Sequence, residues 1–79
     1  MSDINLSIQL NQSQGQAYLR WLVSQYEQAM AELWYSDRYR YVAEGLRAQR
    51  VLADHPHIAG ISRSARELRK QLSQQGAQA

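Results

Sequence analysis

The sequence predicts an all-α domain: an antiparallel helical hairpin followed by a C-terminal amphipathic helix, preceded by a short extended or strand-like N-terminal segment. Three observations carry this prediction. Leu19, Leu22, Tyr26, Ala29 and Leu33 recur at steps of three and four, the repeat of one helical face. Ile58, Ile61, Ala65, Leu68 and Leu72 follow steps of 3, 4, 3 and 4, the most regular heptad in the chain. Between these stripes stands Pro56, which cannot continue a helix and pushes the residue before it out of helical geometry.

A chain of 79 residues makes one domain, 1–79, with residues 1–15 as an extended arm and linker and 73–79 as a frayed polar tail. A core of this size supplies roughly 3–5 kcal/mol, so such domains lean on disulfides, metals or oligomerisation. With no cysteine, disulfides and thiol chemistry are excluded, which fits a reducing, cytoplasmic setting. No apolar run approaches the length of a membrane span, and the first residues lack the pattern of a signal peptide.

Along the arm, Ile4, Leu6, Ile8 and Leu10 alternate with Asn5, Ser7 and Gln9. Period two marks a half-buried strand. No second strand follows, so the segment either pairs with its own copy, adds to a partner's sheet edge, or lies extended across a helix. Asn11 or Ser13 is placed to N-cap helix one, which runs to about Tyr35. Val23, Met30 and Trp34 widen its apolar stripe while Trp21 falls off it, so one face cannot bury both tryptophans. At Ser36-Asp37 the stripe shifts and restarts as Tyr39, Val42, Ala43, Leu46 and Ala53. Either a turn opens helix two with Ser36 or Asp37 as N-cap, or one long helix rotates its buried face. The break is favoured because a hairpin gives both stripes something to bury. Helix two ends near Asp54 and His55-Pro56-His57 is the connector. Pro56 also suits the first turn of helix three, while the capping-box spacing of Ser64 and Glu67 would start the regular helix only after Gly60 and Ser62.

Candidate chemistry is sparse. Asp54-His55-Pro56-His57 offers too few ligands for zinc and reads as a turn. Ser, His and Asp occur without nucleophile-elbow spacing, and Gly15, Gly45, Gly60 and Gly76 make no phosphate-cradling loop. The expectation is a non-enzymatic protein with no cofactor and no metal.

The charge is unevenly placed. The net of +2 divides into −3 over residues 1–37 and +5 over residues 38–79, a polarity that suits nucleic acid, an acidic protein surface or antiparallel self-pairing. Arg38, Arg40, Arg47 and Arg50 cluster on helix two near Tyr39 and Tyr41. Arg63, Arg66, Arg69 and Lys70 cluster on helix three, as possible nucleic-acid or acidic-surface contacts. A strand followed by two helices is similar in outline to ribbon-helix-helix repressors, although the strand here carries no basic residue and helix one is longer. The large aromatics exceed what one small core encloses, and Tyr, Trp and Arg carry interface energy. Trp21, Tyr26, Trp34, Tyr35, Tyr39 and Tyr41, with Arg38, Arg47 and Arg50, are therefore the expected protein-binding residues. The expected function is that of an adaptor, chaperone or inhibitor of a larger protein, as a homodimer, with nucleic acid second, a structural subunit of a larger assembly third, and no membrane role. Its size and helical style resemble those of small secretion chaperones and phage accessory proteins.

Overall fold

The computed structural model describes residues 3–78, which form three α-helices and one 3-10 turn. Helix α1 spans Gln12–Trp34, α2 spans Glu44–Asp54 and α3 spans Pro56–Gln78, with the 3-10 turn at Asp37–Tyr39. Among the described residues there is no strand, and no helix is long and apolar enough to cross a membrane.

Asn11 begins α1 by a reciprocal capping box. Its Oδ1 accepts from the Gln14 backbone N–H at 2.8 Å, and its own N–H donates to Gln14 Oε1 at 3.0 Å. Two of the donors orphaned at any helix start are satisfied in this way. The arm thus ends at Asn11, four residues earlier than the polar Gly-containing stretch suggests.

The long antiparallel pair is α1 with α3, and α2 packs on both as a shorter connecting helix. The sequence alone favours α2 as the hairpin partner of α1. At about 1.5 Å per residue, however, an 11-residue helix is half the length of its 23-residue neighbours. Only α3 can cover the whole apolar stripe of α1. On α1, Gly15 lies against Leu68 and Leu72 of α3: a Cβ added there would stand 3.2 Å from Leu72 Cδ2. No such neighbour exists at Gly60, where an added Cβ meets nothing within 4 Å. Gly60→Ala in the second turn of α3 is therefore expected to stabilise the fold by about 0.5–1 kcal/mol. In a thermal melt that is an increase of roughly 2–8 °C, larger than the change for Gly15→Ala.

The turn after α1 forms where the apolar stripe shifts, but Ser36 closes α1 rather than opening α2. Its hydroxyl donates back to the Leu33 carbonyl at 2.8 Å, and α2 starts only at Glu44. This interruption rotates the inward face of α2. Tyr39, Val42 and Ala43 fall in the link, Leu46 and Ala53 are exposed, and Val51 becomes fully buried. At the other end of α2 the link is a single residue, His55. Its carbonyl accepts from the N–H groups of Ile58 and Ala59, and Pro56 takes the first helical position, where its missing N–H costs nothing. Helix α3 begins at Pro56, the first-turn position the sequence offers, and not after Ser62: the His55 carbonyl meets the early donors of Ile58 and Ala59, and Ser64 and Glu67 lie inside the helix. At the far end helical geometry extends through the polar stretch from Ser73 to Gln78; Ala79 lies outside the described residues.

The core is small. Leu22, Tyr39, Val51, Ile58 and Ala65 are its buried apolar residues, and the rest of both heptad stripes is half-buried.

Candidate protein-interaction surface

The expected binding residues divide into those the fold uses and those it leaves free. Tyr39 belongs to the first group. Its ring is 1% exposed, its Oη donates to Asp54 Oδ2 at 3.0 Å, and the His55 ring meets it edge-on at 6.5 Å. Arg38 joins the same carboxylate at 3.5 Å, tying the 3-10 turn to the end of α2. The fold thus takes the Tyr39 ring out of solvent. The sequence signal was present, since Asp54 is the acid at the end of α2, but its pairing with a ring fifteen residues earlier is a tertiary fact.

The Tyr39 phenol is raised above its ordinary value of 10.0, first by burial and then by the hydrogen bond to Asp54, with Arg38 pulling the other way. A raised phenol means the folded chain holds this proton more tightly than the unfolded chain does. The associated stability is complete below about pH 10 and is lost as the pH climbs through the folded value. Urea midpoints measured at pH 8 and at about pH 10.5 should fall more for the native chain than for Tyr39→Phe. An equal fall in both would remove Tyr39 as the cause.

Arg47 is the second residue drawn inward. It donates to two backbone carbonyls, from Nη1 to Trp34 at 3.2 Å and from Nη2 to Val42 at 3.0 Å. Its guanidinium also stands 5.1 Å from the centroid of the Trp34 ring. The planar fork of Arg suits this double contact. It satisfies one of the carbonyls orphaned at the end of α1. Trp34 is half-buried beneath it, so both residues hold the α1–α2 junction.

The second group lies outside. Trp21 is 54% exposed and Tyr18 45%. Their rings stack at 6.1 Å with planes 13° apart, one turn apart on α1. Tyr18 is not among the expected binding residues, although its spacing of three from Trp21 is readable in the sequence. Tyr35 and Tyr41 are 85% and 91% exposed, at the two ends of the loop. Tyr26 is half-buried and borders a shallow cavity of about 300 Å³ with Val23, Arg66 and Arg69. On the opposite flank of the α1–α3 seam, the arm residues Leu6, Ile8 and Leu10 border an open groove of about 310 Å³ with Tyr18, Arg63 and Leu68.

Of the two basic clusters, the one around α2 is dispersed. Arg38 and Arg47 are engaged as described, Arg40 stands over Tyr41 at 5.8 Å, and Arg50 is exposed on α2. The cluster on α3 stays whole. Arg63, Arg66, Arg69 and Lys70 are all exposed, and among the described residues none forms an ion pair. His55, whose ring meets Tyr39, stands edge-to-face at 5.9 Å with His57 in the first turn of α3.

Comparison with known proteins finds no matching family model, no matching curated protein and no matching solved structure.

Proposed function

We propose that this chain is a non-enzymatic protein-binding module, an adaptor, chaperone or inhibitor of a larger protein in the cytoplasm. The observation that carries this reading is the Tyr18–Trp21 stack. Two large rings are held side by side on a regular helix with about half their surface in water. Pre-ordered aromatic side chains lose little entropy on binding, and Trp and Tyr are the usual anchors of interfaces. The basic face of α3 supplies complementarity to an acidic rim.

Affinity capture with the native chain, Trp21→Ala and Tyr18→Ala tests this. Truncating an anchor costs about 2 kcal/mol or more, roughly 30-fold in Kd. Both variants should retain the helical signal, because neither ring is buried. Undiminished capture by the double variant overturns the reading.

The intact α3 cluster favours a second reading, contact with nucleic acid. Four cations without acidic partners would give affinity that falls steeply with salt. Under that reading Arg66→Glu abolishes binding to a duplex oligonucleotide while Trp21→Ala does not. The Trp21 variant is the cleaner control, since altering Trp34 also disturbs the Arg47 junction.

A further inference from the structure

Residues 3–10 have features that the binding reading does not use. Among the described residues they make no backbone–backbone hydrogen bond and no regular secondary structure. Ile4, Leu6 and Ile8 are 92%, 80% and 65% exposed. Yet the segment does not leave α1 at an arbitrary angle. Asn11 is extended, with φ −75° and ψ 171°, and is locked by its capping box. The arm is thus an eight-residue ribbon with one apolar face, leaving the capped start of α1 in extended geometry, with a row of unpaired backbone groups. Such a row is a template for strand pairing.

We propose that this arm pairs antiparallel with the same arm of a second copy of the chain. The apolar face of the resulting two-stranded ribbon turns toward the groove beside Tyr18 and Leu68. This extends the proposed function without resting on it, because the partner is the chain itself.

Parity is the first argument for a second copy. In an antiparallel pair, directly opposed residues point to the same face. A self-pairing centred on Leu6 sets Ile4 opposite Ile8 and Leu6 opposite Leu6. One centred on Ser7 sets Ile4 opposite Leu10 and Leu6 opposite Ile8. Either register gathers every aliphatic side chain on one face and Asn5, Ser7 and Gln9 on the other. A shift of one residue between these centres keeps that separation, whereas a half-step would destroy it.

Charge is the second argument. Asp3 is the arm's one ionised side chain. It falls opposite Gln9 in the first register and Asn11 in the second, so no like charges are opposed. The third argument is energetic. A core with only Leu22, Tyr39, Val51, Ile58 and Ala65 buried is thin for a domain without disulfides, and oligomerisation is the remaining usual support. Covering the arm's aliphatic side chains adds to what the monomer buries.

The chain has no native cysteine, so single-cysteine variants report the pairing directly. We would place Cys in turn at Asn5, Leu6, Ser7 and Ile8 in the full chain, oxidise under mild conditions, and measure solution mass by light scattering in parallel. The expected result is a mass of two chains, with disulfide formation concentrated at Leu6→Cys or at Ser7→Cys. Only the residue at the centre of an antiparallel pair faces its own copy at disulfide distance. A native mass of one chain overturns the proposal, as does equal cross-linking at all four positions. As a second route, Leu6→Asn with Ile8→Asn should give one-chain mass with the helical circular dichroism unchanged, since neither residue is in the core. Persistence of the dimer in that variant also overturns it.

Discussion

Ile58→Ala is expected to remove most of the stability of the fold. Ile58 is 1% exposed at the start of α3, beneath the single-residue link that joins α2 to α3. Truncating a buried isoleucine removes its transfer energy and leaves a cavity, at a cost of about 2–5 kcal/mol. A core of this size supplies roughly 3–5 kcal/mol in total, so one substitution consumes most of it. Chemical denaturation followed by far-ultraviolet circular dichroism measures the loss. The same truncation at Ile61, which is half-buried, should cost less. At Leu46, which is 59% exposed, it should cost little. That order follows burial and not hydrophobicity, because all three residues are similar aliphatics. A Leu46→Ala loss equal to that of Ile58→Ala would contradict the placement of the core.

The second large effect concerns Arg47. Arg47→Ala leaves the carbonyls of Trp34 and Val42 without their donor and removes the cation from above the Trp34 ring. Leaving part-buried acceptors unpaired costs about 1–3 kcal/mol. For a domain of this size each kcal/mol lowers the melting temperature by roughly 4–8 °C. Arg47→Lys keeps the charge but loses the planar fork, so it should recover only part of the loss. Full recovery by lysine would show that charge alone matters. In a Trp21→Phe background the fluorescence of Trp34 gives a local reading. Its emission should move to longer wavelength in Arg47→Ala as water reaches the ring.

Much of this fold is legible in the residues themselves. The all-helical class, the break after α1, the end of α2 at Asp54 and the inward stripe of α3 all follow from periodicity and local capping chemistry, which also narrow the cap of α1 to Asn11 or Ser13. The inward face of α2 does not. Periodicity is readable only within an uninterrupted helix. The link through Tyr39 to Ala43 resets the register, so Leu46 points out and Val51 points in. The identity of the long antiparallel partner of α1 is likewise a matter of relative length rather than pattern.

At the candidate surface the same limit applies. Aromatic and Arg content signals an interface, but Tyr39 and Arg47 look like Tyr41 and Arg50 in sequence. What separates them is a hydrogen bond to Asp54 in one case and two carbonyls in the other, each made across the turn. Once those residues are taken into the fold, the free surface shrinks to the Tyr18–Trp21 stack, the loop tyrosines, the α3 cations and the arm.

This division between consumed and free residues is most directly tested by hydroxyl-radical footprinting of the native chain, read residue by resolved residue with mass spectrometry. Tyr35, Tyr41 and Trp21 should be modified rapidly, while Tyr39 stays protected until the chain unfolds and Trp34 reacts more slowly than Trp21. Modification of Tyr39 at the rate of Tyr41 would contradict the account, for it would place in solvent the ring around which the turn is built.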